Sequence, residues 1–315
     1  MTLSFQKAAV LGSTGPTGKH LVRELLDRGL PVRVVSRSEA NLSRAFEGLQ
    51  VERRAADLLD GAPTLRSVEG CDLVFDCIGL PLDRIAGHPV AARNIALAVK
   101  ETGARCVHVS SFWAYLPLRH VPLSENHPRE GGPLAVRMRR EAEDILQSAG
   151  AAVVNLPDFY GPEVHTSMLQ QALQEAVAGK PVNWIGSADT AREHVYVPDA
   201  MKTVAELAQR PEAYGERWVV PAAGPLTLTQ TAAIIKSHLG AEIRARTAGP
   251  LMLRLVSLFS SELRGLMPLV PDYVKPLTYD GGKLTKLLGQ VAATPYEQGI
   301  PLTLDWIKKQ QGSGK

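Results

Sequence analysis

The sequence predicts an α/β fold, in which a doubly wound parallel sheet is followed by a smaller C-terminal lobe. Short β-branched runs alternate with helical patterns through the first half of the chain, which is typical of βαβ units with parallel strands. A glycine-rich turn joins the first strand to the first helix. After residue 157 the sequence changes to segments punctuated by Pro and Gly with longer helices, as expected for a second lobe.

Each element of the first half follows from its own pattern. Residues 16–29 place apolar side chains on one helical face, with Pro16 near the start and Gly29 as a C-terminal stop. The helix predicted over 89–103 repeats that design. The predicted strands are 8–11, 32–36, 51–56, 72–77, 105–110 and 151–156.

Composition and charge argue against several classes of partner. The 315 residues are 45% hydrophobic and 21% charged, as in folded globular chains. The 35 basic and 32 acidic residues are scattered, so the net charge of +3 does not indicate a nucleic-acid surface. Cys71, Cys77 and Cys106 lie in or beside apolar runs, and the first strand begins almost at once, which together predict buried thiols in a cytoplasmic protein.

The most apolar C-terminal stretch, residues 250–270, is interrupted by three charged residues and is not expected to span a membrane. It predicts a lid helix over an apolar pocket, with a membrane-surface helix as the alternative. The segment HVPLSENH (120–127) lacks helical spacing and a third partner, so no metal site is expected. The ending GSGK (312–315) predicts a loose tail, either native or added for expression.

The turn after the first strand carries three glycines at a GxxGxxG spacing. Glycine lets the chain turn sharply, brings backbone N–H groups close to a pyrophosphate and allows close helix-on-strand packing, while the helix N-terminus favours negative charge. The spacing alone is a weak signal, but between a strand and a helix it predicts a Rossmann-like dinucleotide site. The residues expected to contact the cofactor there are Gly12, Thr14, Gly15, Pro16, Thr17 and Gly18.

The second strand ends in VVSRS, which places Arg37 where an acidic residue would bind the ribose 2′-hydroxyl of NAD. An arginine there can pair with a 2′-phosphate and stack on adenine, so NADP(H) is predicted in preference to NAD(H). A solvated loop arginine is the competing interpretation. Asp57 and Leu58 are expected beside the adenine, and Cys77, Ile78 and Gly79 beside the adenosine ribose and the pyrophosphate.

The predicted domain division is discontinuous. Residues 1–157 form the dinucleotide-binding Rossmann domain, to which a segment of about 193–222 returns with two strand-like pieces. Residues 158–192 and 223–315 form the smaller substrate-binding lobe. Because that lobe is rich in Leu, Val, Met and Pro, it suits an apolar substrate at least as well as an anionic one.

Along almost its whole length the sequence resembles the extended short-chain dehydrogenase/reductase family, which includes NAD(P)-dependent epimerases and dehydratases, and especially its atypical members. The motifs are loose one by one, and their order and spacing carry the resemblance. They are the glycine loop, Asp57-Leu58, Asn94, VSSFWAY (109–115), LSENHP (123–128), DFYGPE (158–163), REHVYVPDA (192–200), YDGGKLTKLLG (279–289) and TPYEQGIPLTLDW (294–306). The resemblance implies a Rossmann-like fold with a nicotinamide cofactor.

Enzymes of this family use a serine to orient the carbonyl, a tyrosine to exchange a proton with the substrate oxygen, and a lysine to lower the tyrosine pKa and hold the nicotinamide ribose. Ser111 matches the family serine, although a serine capping the backbone at a strand end is the alternative. Ala135 and Arg139 stand at the tyrosine and lysine positions. Arg139 can bind ribose hydroxyls or phosphate but cannot relay protons. Ser110 and Pro157 are further expected cofactor contacts.

A catalytic proton donor is therefore expected elsewhere or not at all. The nearest candidates are Tyr115, close to Ser111 in sequence, and Tyr160 in DFYGP, although an aromatic at either position is more often a pocket wall. A family arginine that contacts substrate phosphates in sugar-nucleotide enzymes is matched by Arg192. The residues expected to line the substrate pocket are Trp113, Phe159, His165 and Arg192.

The sequence favours an NADP(H)-dependent oxidoreductase with a displaced or substituted proton donor, acting on a small carbonyl or conjugated substrate. The missing Tyr-Lys pair supports a second hypothesis, a non-catalytic NADP(H)-binding sensor or regulator. A third is an epimerase or dehydratase with tightly bound NADP, which would need the same first oxidation. Small molecules are the expected partners, without nucleic acid or membrane, and the resemblance implies a monomer or a homodimer.

Overall fold

The computed structural model describes residues 2–258 and 260–313. Its strands are β1 (Ala8–Leu11), β2 (Val32–Ser36), β3 (Glu52–Ala55), β4 (Leu73–Asp76), β5 (Arg105–Ser111), β6 (Ala152–Leu156), β7 (Asp158–Tyr160), β8 (Val182–Ile185), β9 (His194–Tyr196), β10 (Arg217–Val219) and β11 (Ala245–Ala248). Its helices are α1 (Pro16–Asp27), α2 (Glu39–Ala45), α3 (Gly61–Val68), α4 (Gly87–Thr102), α5 (Leu134–Ser148), α6 (Met168–Val177), α7 (Val197–Leu207), α8 (Leu228–Leu239), α9 (Pro250–Ser257), α10 (Ser261–Leu266), α11 (Val270–Tyr273), α12 (Gly282–Leu288) and α13 (Tyr296–Ser313).

A central sheet of seven parallel strands organises the part of the chain that is described, in the order β3-β2-β1-β4-β5-β6-β10. The strands β1, β2, β4 and β6 are buried along their whole length, because helices cover both faces of the sheet. Side chains of α1 and α7 fill the core on one face, and those of α3, α4 and α5 fill it on the other. The predicted fold class, a doubly wound Rossmann-like sheet, is confirmed.

The two strand-like pieces between residues 193 and 221 behave differently from each other. Arg217–Val219 returns to the sheet as predicted and pairs in parallel with β6. His194–Tyr196 pairs instead with β7 in a separate two-stranded ribbon. The cause is Pro157, which directly follows β6 and has no N–H to continue the ladder, so the chain leaves the sheet there.

A second apolar cluster lies outside the sheet and is built by α6, α8 and α13. Leu173, Ile235 and Ile300 are fully buried in it. A second ribbon pairs β8 with β11 in parallel. The cluster is separate from the two clusters that cover the faces of the central sheet.

The apolar stretch 250–270 forms short helical pieces rather than one lid helix. The pieces are α9, α10 and a 3-10 turn at Met267–Leu269 that leads into α11, and Phe259 lies outside the described residues. No helix in the described ranges combines the length and the hydropathy needed to cross a bilayer. Gly312 and Ser313, predicted as part of a loose tail, belong to α13, while residues 314–315 lie outside the described part.

Candidate active site

The crevice at the carboxyl ends of β1 and β4 marks the point where the strand order reverses. From β1 the sheet continues to β2 and β3 on one side, and from β4 to β5 and β6 on the other. Open α/β sheets bind ligands in such a crevice. Gly12 follows β1 with a φ of 71°, and a Cβ there would lie 2.7 Å from the carbonyl oxygen of Cys77. Only glycine therefore lets the loop approach the end of β4 so closely.

The rest of the glycine loop has the packing of a phosphate cradle. A Cβ at Gly18 would lie 2.6 Å from the Cα of Ser13, so close packing against the loop backbone requires glycine there. Gly15 is the N-cap of α1, and within the described residues no side chain caps the free N–H groups of this helix. Beside them, Thr14 is half-buried and Thr17 is buried. Free N–H groups at a helix N-terminus bind phosphate oxygens, so these residues fit the pyrophosphate of a dinucleotide.

Arg37 and Asp57 lie at the ends of neighbouring strands, because Ser36 pairs with Ala55 in the β2–β3 register. Arg37 is exposed, and it forms no hydrogen bond or ion pair with any residue that the structure describes. Asp57 is also exposed and accepts a hydrogen bond from the backbone N–H two residues further on, at 3.1 Å. The neighbouring Leu58 is buried. The guanidinium of Arg37 is thus available to an anionic ligand at this edge of the sheet.

The loop after β4 is held by a buried hydrogen bond between two side chains. Nδ1 of His108 lies 2.7 Å from one carboxylate oxygen of Asp76, and the other oxygen accepts the N–H of Ile78 at 3.0 Å. Burial raises the pKa of the Cys77 thiol, which therefore stays protonated. Gly79 is exposed, with open space where a side chain would stand. The two contacts of Asp76 therefore fix the backbone that borders the expected cofactor site.

Ser110 and Pro157 are both buried. The hydroxyl of Ser110 donates to the carboxylate of Glu143 at 2.5 Å. That fully buried carboxylate also accepts from Nδ2 of Asn155 at 2.6 Å and from Arg129 at 2.7 Å. Because its hydroxyl is engaged inside the protein, Ser110 can meet a cofactor only through its backbone.

A cleft of about 1760 Å³ opens beside the sheet edge and is closed on its far side by the C-terminal lobe. Ligand pockets commonly measure ~300–1,000 Å³, so this cleft has room for part of a cofactor together with a sizeable substrate. On the side of the sheet it is lined by Leu80, Trp113, Ala135, Arg139 and Asp158, and on the side of the lobe by His165, Met168, Leu266, Tyr273 and Trp306.

The two positions of the missing catalytic pair both line this cleft. Ala135 lies in the first turn of α5, and Arg139 follows one turn later on the same side of the helix. The guanidinium carbon of Arg139 lies 5.1 Å from the ring centroid of Trp113, within cation–π range. Burial lowers the pKa of Arg139, although a guanidinium remains protonated. Its buried Nε has no partner, and the rest of the guanidinium forms no hydrogen bond or ion pair with any described residue, so Arg139 is a cation that can donate to a ligand.

Ser111 ends β5 at the edge of the sheet and is half-buried. Its Oγ accepts the N–H of Trp113 at 3.3 Å and caps the short 3-10 helix Phe112–Tyr115. This contact is the capping role that the sequence left open as the alternative. The hydroxyl is only an acceptor in this contact, so its proton is not used there, but Ser111 does not line the cleft.

The structure does not bring Tyr115 or Tyr160 to the cleft. Both side chains are fully buried. The hydroxyl of Tyr115 donates to Oδ1 of Asn155 at 3.4 Å, and that of Tyr160 has no partner among the described residues. Burial raises the pKa of both phenols. They pack as core aromatics, so they are neither proton donors in the cleft nor the pocket walls that the sequence left as the alternative.

Arg192 holds part of the lobe together in place of the expected contact with substrate phosphates. Only 2% of its surface is exposed. Its Nη1 donates to the backbone carbonyls of Asp272 at 2.9 Å, Tyr273 at 3.4 Å and Lys275 at 2.7 Å. With these carbonyls at its guanidinium, Arg192 has no exposed donor to offer a substrate.

The other predicted pocket residues divide into two groups. Trp113 and His165 line the cleft, and His165 is exposed with its ring 6.3 Å from that of Trp306. Phe159 is half-buried, does not line the cleft, and packs against the core of the sheet. Its neighbour Asp158 lines the cleft instead, because successive side chains of β7 point to opposite faces.

Two residues that the sequence did not single out meet in the cleft. The hydroxyl of Tyr273 accepts the indole N–H of Trp113 at 3.0 Å and donates to Oδ1 of Asp158 at 3.4 Å. The second oxygen of Asp158 has no hydrogen-bond partner within the described residues. Burial raises the pKa of Asp158, although Arg192 opposes that shift. The sequence signal for Asp158 was its place in DFYGPE, whereas no spacing pointed to Tyr273.

Relatives among characterised proteins match only parts of their lengths. Ceramide reductase from Caulobacter vibrioides is 27% identical over 210 residues, which cover 64% of this chain and 61% of that protein. Sterol demethylase protein B from Methylococcus capsulatus is 33% identical over 113 residues, which cover 33% of this chain and 34% of that protein. The matches thus span between one third and two thirds of these relatives.

Solved structures share the fold over nearly the whole chain. UDP-glucuronic acid 4-epimerase from Bacillus cereus, in complex with NAD, has a TM-score of 0.80 at 15% identity and covers 97% of this chain and 99% of its own. The NAD complex of dTDP-glucose 4,6-dehydratase from Bacillus anthracis has a TM-score of 0.80 at 14% identity, with 98% of each chain covered. The profile of the NAD dependent epimerase/dehydratase family matches residues 8–220. With this match and the glycine cradle at the strand reversal, the chain belongs to the NAD dependent epimerase/dehydratase family.

Proposed function

We propose that this protein is an NADP(H)-dependent oxidoreductase that acts on the carbonyl or conjugated group of an apolar compound. The observation that carries the proposal is a glycine loop with no room for Cβ atoms at Gly12 and Gly18, together with a large cleft beside the sheet edge. A bound nicotinamide would supply or accept a hydride there. The loop would hold the pyrophosphate, and Arg139 would offer its free donor to the ribose or a phosphate.

Arg37 supports NADP(H) in preference to NAD(H). Its exposed guanidinium has no partner among the described residues and follows the second strand of the sheet. A 2′-phosphate would give this cation a bidentate partner, and the planar group can also stack on adenine. An acidic residue at the same place would accept from the 2′-hydroxyl of NAD and repel the phosphate.

An apolar substrate is supported by the apolar part of the cleft wall and by the engagement of two nearby cations in contacts within the protein. Arg192, the candidate for binding substrate phosphates, is buried against backbone carbonyls. Lys19 lines the cleft but pairs with Glu163 at 2.7 Å. Leu80, Met168, Leu266 and other apolar side chains make up much of the wall. Two relatives are named for ceramide and sterol, which are largely apolar lipids.

The proposal is tested by NADPH oxidation with a panel containing a long-chain methyl ketone, a long-chain keto lipid, a keto steroid and an enone. We expect the decrease of NADPH absorbance to accelerate with at least one apolar carbonyl compound, with the matching alcohol or saturated product found by mass spectrometry. A nucleotide sugar serves as the polar control. Tight NADPH binding without oxidation by any of the carbonyl compounds would contradict the proposed reaction.

The cofactor-binding sensor remains a second candidate because Ala135 and Arg139 replace the family tyrosine and lysine. A sensor would bind NADPH without turnover and would change its affinity for a protein partner when the cofactor binds. The same panel therefore separates the two functions. For either function we propose a cytoplasmic monomer or homodimer, in keeping with the burial of all three free cysteines.

A further inference from the structure

The cleft contains one tyrosine, although the family position for it carries alanine. The chain has seven tyrosines, all within the described ranges, and Tyr273 is the one that lines the cleft. We propose that Tyr273 donates the proton to the substrate oxygen and that Asp158 returns a proton to Tyr273 from solvent. This inference rests on the proposed oxidoreductase function.

The ring of Tyr273 is held in a fixed position. Arg192 binds the backbone carbonyl of Tyr273 itself and those of Asp272 and Lys275. The guanidinium carbon of Arg192 lies 5.0 Å from the Tyr273 ring centroid, and the ring of Phe112 meets it edge-on at 6.0 Å. A positioned ring of this kind spares the orientation cost of bringing an acid to a reacting atom.

The hydroxyl of Tyr273 has one firm contact and one exchangeable contact. It accepts the indole N–H of Trp113 at 3.0 Å, which is an ordinary hydrogen-bond length. It donates to Asp158 at 3.4 Å, a long and therefore weak bond. Tyr273 can turn its proton from Asp158 to a substrate oxygen at little cost, while Trp113 keeps its oxygen in place.

The proton transfers balance within this group of residues. When hydride reaches the carbonyl carbon, the electron pair of the C=O bond moves to the oxygen. The O–H bond of Tyr273 breaks, and its proton forms the O–H bond of the alcohol. The resulting phenolate is stabilised by the Trp113 N–H and the nearby Arg192 guanidinium. Asp158 then transfers a proton taken from solvent to the phenolate, so the cycle consumes one solvent proton.

Asp158 suits the relay for two reasons. Asp158 lines the cleft, one of its oxygens accepts from Tyr273, and the other is buried without a partner among the described residues, so the carboxyl group can carry a proton that arrives from the cleft. Burial also raises the pKa of Asp158, which makes it a better proton carrier near neutral pH than an exposed carboxyl. The charged and titratable groups around the pair are Arg192, Arg139 and Tyr279.

The test compares Tyr273→Phe with Tyr279→Phe. Tyr279 is buried, its ring meets Phe112 edge-on at 6.5 Å, and its hydroxyl has no partner within the described part, so its loss costs no hydrogen bond. We expect Tyr273→Phe to lower kcat by ~10²–10⁴-fold, the usual contribution of a general acid, without weakening NADPH binding. Tyr279→Phe should keep the wild-type kcat.

The hydrogen bond from Tyr273 to a substrate carbonyl can be measured without cofactor or turnover. The readout is the infrared C=O stretching frequency of bound, carbonyl-labelled tridecanone. A hydrogen bond from Tyr273 should lower this frequency in the wild-type protein and in Tyr279→Phe, but not in Tyr273→Phe. For the relay, we expect Asp158→Ala to lose turnover and to recover part of it when formate is added. Formate should not rescue Tyr273→Phe, which separates the relay from the donor.

The outcomes distinguish this inference from the function on which it rests. Wild-type turnover that survives in Tyr273→Phe overturns the donor assignment and leaves the reductase standing. The same conclusion follows if His165→Gln, which removes the exposed histidine of the cleft, loses turnover while Tyr273→Phe keeps it. Absence of turnover in the wild-type protein, with an unshifted C=O band, overturns both.

Discussion

Ala135 and Arg139 lie one turn apart on the same helix and line the same cleft. The two positions that carry tyrosine and lysine in the family therefore still face the cleft. Neither Ala135 nor Arg139 can exchange a proton near neutral pH. The replacement of tyrosine and lysine by Ala135 and Arg139 removes the proton relay, while helix α5, which carries both positions, keeps its place beside the cleft. The hydrogen-bonded pair of Tyr273 and Asp158 stands in the same cleft.

Because positions 135 and 139 still line the cleft, we expect that the family tyrosine and lysine can be restored there and will transfer protons. In the Tyr273→Phe background, Ala135→Tyr with Arg139→Lys should recover at least ~10-fold in kcat, because general acid catalysis contributes more than this. Initial rates with the best carbonyl substrate measure the recovery, and Ala135→Phe with Arg139→Lys is the control. No recovery in a variant that still binds NADPH would show that the pocket has diverged beyond these two positions.

Two similar substitutions in the glycine loop are expected to have different effects, one on stability and the other on cofactor binding. Gly18→Ala places a Cβ 2.6 Å from the loop backbone and should destabilise the protein by ~1–3 kcal/mol, as overpacking does. Gly15→Ala meets its nearest atom at 3.5 Å, so the fold should be kept. Its methyl group would stand at the start of α1, where the pyrophosphate is expected, and should weaken NADPH binding. Urea unfolding and cofactor titration give the two readouts, and wild-type affinity in Gly15→Ala would argue against this binding mode.

We expect Arg192 to stabilise the fold. Arg192→Lys keeps the charge, but one ammonium cannot replace the guanidinium at carbonyls of Asp272, Tyr273 and Lys275. We expect a loss of ~2–4 kcal/mol in the free energy of unfolding, since buried acceptors lose a charged donor. The exposed Arg246 supplies the control, Arg246→Lys, which should change little. An unchanged unfolding curve for Arg192→Lys would refute the structural role.

Two buried histidines predict a loss of stability in mild acid. Burial lowers the pKa of both His88 and His194 to about 3. In the unfolded chain the same groups bind protons below their ordinary pKa of about 6.5. The folded state therefore binds fewer protons, so stability is fully present above pH ~6.5 and falls as the pH drops towards 3. At a pH of about 5 each histidine should cost ~2 kcal/mol.

The contribution of His194 can be isolated by substitution. Neither of its ring nitrogens has a hydrogen-bond partner among the described residues, so His194→Met removes a titrating group without breaking a bond. We expect the variant to lose less stability than the wild type between pH ~7 and ~5. His165→Gln, at an exposed position, should follow the wild-type curve. Parallel curves for His194→Met and the wild type would show that His194 does not titrate in this range.

Local sequence patterns predicted the central sheet and the glycine loop, because both depend mainly on residues that are close together in the sequence. The alternation of strands and helices predicted the central sheet, and β1 and β2 have the predicted limits. The glycine spacing predicted a loop whose close contacts lie within the loop or at the adjacent strand end. By contrast, the Trp113–Tyr273 hydrogen bond joins residues 160 positions apart, and the carbonyls that bind Arg192 begin 80 positions away. Such pairings depend on how the lobe packs, which no local pattern specifies.

The binding of NADP(H) is tested most directly by a fluorescence titration of the wild-type protein and Arg37→Glu with NADPH and NADH. The wild type should prefer NADPH by at least about tenfold, or ~1.4 kcal/mol, and Arg37→Glu should lose or reverse that preference. Arg44→Glu, a charge reversal at an exposed position of α2, should retain it. Equal affinities for the two cofactors in the wild type, or no binding of either, would contradict the account.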